Sequence, residues 1–474
     1  MQLRKSLSQC AEKQDVVMIT AYYRGWIRYA VFSILFCNLV SLSIETKLAK
    51  AKLTGANSAY VHIPFCRRRC FYCDFAVSVV GDKAKGEASS TIAEYVETLI
   101  REIDATPLAG QNLQTVFFGG GTPSLLSVGQ LERILAAIAN KFGIAPTAEI
   151  SMEMDPATFD LAQVQGYRAA GVNRVSLGAQ AFEDQVLAAS GRFHRAADIF
   201  HAVDLLRQAQ IENFSLDLMS GLPYQTLESW QLALETTLAI APTHISNYDL
   251  IVEPQTAFAR YYTPGEFPLP SDNNTAQMYR MTQQQFVDAG YDHYEICNYA
   301  KSGYEAKHNL TYWKSEPCYG FGMGATSYLN HQRIDRPRTQ KTYREWVDQF
   351  VARGGKTDDP ILPVTERVME QIMVGLRLKE GISLEAVYQV YGNHGIEAIG
   401  KAISPHIRNH WLTTDSLETD TNITKLKPTG RIRLTDPEGF LMSNVAIVDA
   451  FHALDSLPPS VEDLALSPSV LPTV

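Results

Sequence analysis

A chain of 474 residues is long enough for two or three domains and a large buried core. With 46% apolar and 20% charged residues it is ordinary for a globular protein, and a formal net charge of −9 argues against nucleic acid as its main partner. Its seven cysteines, an odd number with three inside residues 66–73, exclude a disulfide scaffold and point to a reducing cytosol.

The first 55 residues differ from the rest. Residues 30–44 (AVFSILFCNLVSLSI) carry no charge. The run is shorter than the ~18–20 residues that cross a bilayer as a helix. Arg24 and Arg28 precede it and Lys47, Lys50 and Lys52 follow, so charge sets no orientation. No small-residue cleavage site follows closely, which counts against a signal peptide. Three readings stand: an unstructured extension or misplaced start, an anchor giving peripheral membrane association, or a core helix.

From Ala59 to about Val252 short apolar strands alternate with helical stretches. The spacing predicts strands over 60–65, 115–120, 149–154, 174–179, 214–219 and 244–252. Helices are expected over 91–104, 131–142, 161–171, 197–210 and 227–240, with Ser127 and Thr226 placed to cap two of them. Six such β-then-α units imply a parallel sheet with helical crossovers, an incomplete (β/α)6 TIM-like barrel. Active sites of such folds gather at the C-terminal strand ends. Here those ends run into GTPS, DPAT, Gln180 and SGLP.

Beyond about Pro270 the pattern changes. A helix is expected over 276–289 and a single strand over 291–300. Residues 300–340, rich in Tyr, Gly, His and Asn, read as a loop-rich cover. Helices at ERVMEQIMVGLRL, SLEAVYQVYG and IEAIGKAISPHIRNHW, a hairpin at ITKLKPTGRIRLT and a last helix near 437–451 form a smaller, mainly helical, winged-helix-like unit. It lacks the dense basic stripe of a DNA reader. The expected division is 1–55 extension, 56–300 partial barrel, 301–362 cover and linker, 363–452 helical domain and 453–474 disordered tail.

Cys66, Cys70 and Cys73 follow the first strand at spacing C-x3-C-x2-C. A structural zinc site takes four protein ligands, and no Cys or His in the next few residues supplies a fourth; His62 is the nearest candidate. A [4Fe–4S] cluster normally takes four cysteines as well, so three leave one iron open to a small molecule.

The stretch YVHIPFCRRRCFYCDF resembles the signature of the radical SAM superfamily. Within it the chain resembles the family of oxygen-independent coproporphyrinogen III oxidases and HemW-type haem chaperones, from Tyr60 to about Phe451. The resemblance implies a [4Fe–4S] cluster on the three cysteines and S-adenosylmethionine on the open iron. An electron from a donor such as flavodoxin or ferredoxin would then release a 5′-deoxyadenosyl radical. It implies that Gly120, Gly121 and Thr122 contact the methionine end and that Glu153 holds the nucleoside. Gln180 and Asp217 are implied ligand contacts, Arg192 a partner of the ligand carboxylate, and Tyr60 and Tyr72 further cofactor contacts. The glycine run would approach the ligand with free N–H groups. Arg67, Arg68 and Arg69 form either a donor-attracting patch or a solvated loop.

Two branches divide at visible positions. The oxidase pattern adds a cysteine where Phe75 stands, whereas the chaperone branch carries H-N-x-x-Y-W, here His308, Asn309, Tyr312 and Trp313. The resemblance therefore implies haem as cargo, delivered to respiratory haemoproteins. His308 is the first candidate ligand, on a haem-facing surface, with Cys297 and Cys318 as alternative ligands; the other reading of the stretch is a histidine packed among aromatics. The alternative function is oxidative decarboxylation of coproporphyrinogen III to protoporphyrinogen IX.

Overall fold

The computed structural model describes residues 55–82, 86–415 and 426–457; the leader with its apolar run, residues 423–425 of the expected hairpin and the tail beyond 457 lie outside them. Strand β1 (Ser58–Ile63) is buried along nearly its whole length, as a strand covered on both faces must be. It opens a parallel series with β2 (Leu113–Gly120), β3 (Ile144–Met154), β4 (Arg174–Gln180), β5 (Phe214–Ser220) and β6 (His244–Asp249). Crossover helices are α1 (Ser90–Ala105), α2 (Val128–Phe142), α3 (Leu161–Ala169), α4 (Asp184–Ala189), α5 (Ala196–Gln208) and α6 (Leu227–Ile240). Ser127 and Thr226 close capping boxes at the starts of α2 and α6, which fixes both helix entries. Val61, Phe118, Met152 and Leu216 of the sheet pack with Leu99, Ile134, Leu206 and Leu234 of the helices into one core.

The sheet holds more than six strands. After α7 (Asp272–Asp288), the single strand expected over 291–300 is two, β7 (Asp292–Glu295) and β8 (Asn298–Ala300), paired antiparallel, with β8 also antiparallel to β6. The expected loop-rich cover contains α8 (Lys307–Trp313), β9 (Tyr319–Phe321) and a hairpin of β10 (Thr326–Leu329) and β11 (Gln332–Asp335). Strand β9 lies parallel to the outer edge of β1. The full order is β9-β1-β2-β3-β4-β5-β6-β8-β7, an incomplete barrel. Three residues are too few to show a period, which is why β9 escapes the sequence pattern. Its flank is fixed by a fully buried ion pair between Arg336 and Glu102 of α1 (2.7 Å), and Glu102 also accepts from the Gly322 N–H and from Tyr343 of α9 (Gln340–Ala352).

The C-terminal unit comprises α10 (Val364–Gly375), β12 (Ile382–Ser383), α11 (Glu385–Arg408), β13 (Leu412–Thr414), β14 (Arg431–Leu434) and α12 (Ser443–Asp455). Gly392, at φ 60°, breaks α11 between the two helices expected there. In place of the expected hairpin, β14 pairs antiparallel with β12 and β13 in a three-stranded sheet. Ile372, Leu384, Val387, Ile432 and Phe440 form the core of this unit, and Trp313 of α8 packs against it.

Candidate cluster and cofactor site

The loop after β1 carries the three cysteines and is pinned from several sides. The N–H groups of Ser78 and Val80 donate to the carbonyls of Pro64 and Cys66, and the Phe71 N–H donates to the carbonyl of Ser190 after α4. Thr122 hydrogen-bonds the Cys66 thiol. Burial pushes that thiol up to about 12, and the neighbouring Cys73 and Cys70 push it further; burial also raises Cys73. Thiols buried side by side do not ionise without a cation among them. His62, the nearest histidine, has Nδ1 on the Tyr60 hydroxyl (3.0 Å) and Nε2 on the carbonyl of Ala76 (2.9 Å), so both its ring nitrogens are already engaged. Among the described residues no three His, Cys, Asp or Glu side chains crowd close enough to hold a single ion. A cube that takes each thiolate on a different iron fits this donor set.

The glycine run does not present free N–H groups. Gly120 donates to Glu153 Oε2 (2.9 Å) and Gly121 to the carbonyl of Ile63 (2.9 Å). The space their missing side chains leave is filled by the chain itself. At Gly120, φ 113°, a Cβ would lie 2.4 Å from the His62 ring. The glycines thus let β1, its loop and β2 close together, which carries the Thr122 hydroxyl onto Cys66.

Around this loop stand the strand-end groups. Glu153, at the end of β3, is pushed up to about 7, chiefly by burial, with the nearby Asp217 adding to the rise. Burial likewise raises Asp217, against hydrogen bonds from Ser176 (2.7 Å) and Ser215 (2.8 Å). Gln180 ends β4 at φ 69°, a left-handed conformation that a non-glycine residue holds only under constraint. Tyr60 stacks on Phe117 and on His308, and Tyr72 packs near Phe258 with Cys70 and Arg192 beside it.

Arg192 is engaged already. Its Nη2 pairs with Asp155 Oδ2 at 2.6 Å and donates to the carbonyl of Gly178, while Nη1 lies 3.5 Å from the Cys70 sulfur. Its Nε is buried without a partner. Burial alone would raise Asp155, but Arg192 and His194 outweigh it and hold the carboxyl below its ordinary range. The sequence reading missed Asp155 and the fully buried His194. Neither lies in a strand or a helix, so no periodicity marked them; their nearness in sequence to Glu153 and Arg192 was the one signal available. Arg67, Cys70, Thr122, Asp155 and Arg192 line one small cavity. The exposed arginines have local partners: Arg68 pairs with Asp82, and Arg69 donates to the carbonyls of Cys73 and Phe75.

The candidate haem ligands lie elsewhere. His308 is not on a surface: it is 1% exposed at the opposite, N-terminal end of the barrel strands, inside α8. Its Nδ1 bonds the Thr115 hydroxyl and its Nε2 the Tyr312 hydroxyl, both at 2.8 Å, and burial lowers it to about 3. Glu149 accepts from the N–H groups of Lys307 and His308, which seats α8 under the barrel. Cys297 and Cys318 are buried and their thiols raised, Cys318 to about 12. The H-N-x-x-Y-W segment therefore plugs the barrel base and joins it to the C-terminal unit through Trp313.

A model of the Radical SAM superfamily matches residues 60–236. Heme chaperone HemW of Synechocystis sp. is 44% identical over 401 residues, covering 84% of this chain and 97% of that protein. Heme chaperone HemW of Bacillus subtilis is 37% identical, covering 71% and 87%. The solved structure of coproporphyrinogen III oxidase (HemN) from Escherichia coli, a radical SAM enzyme, superposes with a TM-score of 0.69 at 21% identity, covering 91% of this chain and 98% of that one, a likeness of fold. With three thiols at the mouth of an incomplete barrel and this extent of identity, the chain belongs to the HemW haem-chaperone family of the radical SAM superfamily.

Proposed function

We propose that this protein binds haem and delivers it to respiratory haemoproteins, with a [4Fe–4S] cluster on Cys66, Cys70 and Cys73 and S-adenosylmethionine at the strand ends. The observation that carries the reading is 44% identity running through 97% of a haem chaperone. Phe75 adds to it, standing where the oxidase pattern places a further cysteine. When bound, the cluster and S-adenosylmethionine supply one-electron chemistry. The chain's own residues position and shield. Thr122 orients the Cys66 sulfur and Asp155 fixes Arg192 beside Cys70, while Glu153 would hold the nucleoside and the nearby Asp217 would contact the same ligand. The buried Nε of Arg192 is the donor left for a ligand carboxylate. An acidic flavodoxin or ferredoxin suits the exposed Arg68 and Arg69 beside the exposed Phe71 and Phe75. No helix among the described residues is long and apolar enough to cross a membrane, and residues 30–44 are the segment proposed to touch one.

The test is turnover against transfer. Full-length protein, reconstituted anaerobically, is given coproporphyrinogen III, S-adenosylmethionine and reductant. In parallel it is loaded with haem and mixed with an apo-haemoprotein. A stable haem complex that passes its haem on, with no protoporphyrinogen formed, is expected. Protoporphyrinogen formation would overturn the proposal.

A further inference from the structure

The barrel mouth carries a strap, residues 254–268, that the cluster site leaves unused. It is anchored at two points. The Phe258 N–H donates to the carbonyl of Phe71 in the cysteine loop (3.1 Å), and the Tyr224 N–H donates to the carbonyl of Pro268 (2.8 Å). Phe258 is fully buried with Val186, Leu187 and Leu222, and Tyr72 and Tyr262 pack against that small cluster. The strap is thus mounted on the wall that holds the cysteine loop.

On that mount two further aromatic side chains of the strap face water. Phe267 is 85% exposed and Tyr261 72%. Tyr224, 40% exposed, meets Phe267 edge-on with ring centroids 5.8 Å apart. Arg260 shares the helical turn Phe258–Tyr261, is exposed, and makes no side-chain hydrogen bond or ion pair among the described residues. Single exposed apolar residues are normal, whereas grouped aromatics on a buried mount mark a contact surface. Aromatic rings offer an apolar plane, and an unspent guanidinium offers a carboxylate partner. A flat apolar macrocycle bearing acid side chains matches both.

We propose that the strap, with Tyr224, seats haem at the barrel mouth, its macrocycle against Tyr224, Tyr261 and Phe267 and a propionate on Arg260. This rests on the haem-binding reading above, and it places the cargo on the side of the cysteine loop, away from the buried His308.

Full-length protein is titrated with haemin and, separately, with haemin dimethyl ester, followed by Soret absorbance. A Tyr261→Ala/Phe267→Ala variant is expected to bind haemin about tenfold more weakly. Arg260→Glu is expected to weaken haemin about three- to tenfold and to leave the ester unchanged. The substituted side chains are exposed, so circular dichroism and iron content stay at the wild-type level. Wild-type protein that binds no haemin would overturn the haem reading and the strap assignment together. Wild-type binding matched by both variants would overturn the strap assignment alone and give the patch to a protein partner. A weakening by Arg260→Glu that is equal for haemin and its ester would overturn the propionate contact.

Discussion

Replacing Asp155 by asparagine removes one charge of a pair while keeping the side chain's shape. The partner, Arg192, has a side chain only 9% exposed, and Asp155 is 23% exposed. Two unit charges about 4 Å apart at an effective dielectric near 20 attract by about 4 kcal/mol. Removing one member of a buried pair typically costs about 3–5 kcal/mol, because the other is left buried and unpaired. Here the carbonyl of Gly178 and His194 still face the guanidinium, so Asp155→Asn is expected to cost about 3 kcal/mol. Urea unfolding of Asp155→Asn, Arg192→Gln and the double variant at pH 7.5 measures the coupling, expected at about 2–3 kcal/mol. A coupling below about 0.5 kcal/mol would refute the buried-pair argument, since that is the worth of an exposed pair. The pair also has a pH signature. Because the folded carboxyl sits below its ordinary range, the stability it contributes is present above about pH 4 and is lost as the pH falls through the folded value. Asp155→Asn should remove that part of the acid sensitivity.

Glu295, fully buried between β7 and the C-terminal unit, is pushed by burial from 4.5 up to about 8. Stability held by its neutral form is therefore present below about pH 4.5 and lost as the pH rises to 8; Glu295→Gln should match the wild type at pH 5 and exceed it at pH 9 by on the order of 3–5 kcal/mol, read from thermal unfolding at each pH. Gly120→Ala places a Cβ 2.4 Å from the His62 ring at a positive φ and should cost more than about 2 kcal/mol while lowering the iron content after reconstitution. His308→Ala should cost about 2–3 kcal/mol in thermal stability, through its lost hydrogen bonds and the space it leaves, with haemin affinity unchanged. Cys66→Ala should abolish the iron–sulfur absorption of reconstituted protein at near-native stability, because among the described residues its thiol is hydrogen-bonded by Thr122 alone.

The parallel series β1–β6 and its helices were legible because strands buried on both faces read as apolar runs and amphipathic helices repeat every 3.6 residues. Strand β9 was not: three residues carry no period, and its pairing with β1 spans about 260 residues of chain. The cysteines and the strand-end acids stood out through residue type and position. The burial of His308 was not legible, because an imidazole among aromatics looks the same in sequence whether it lies on a surface or fills a barrel base; the partners that bury it, Thr115 and Tyr312, are one distant and one near in the chain. Arg192 was found but its partner was not, since a guanidinium's choice between a ligand and Asp155 is made by the fold.

The parallel pairing of β9 with β1 has a bearing on biosynthesis. On the ribosome, a nascent chain ending near residue 300 holds the cysteine loop but neither the strand that covers the outer edge of β1 nor the guanidinium that neutralises Glu102. An uncovered edge invites pairing with other chains. The outer flank of the first barrel strand is therefore completed only after residues 319–343 have emerged, because β9, Arg336 and Tyr343 all lie in that stretch.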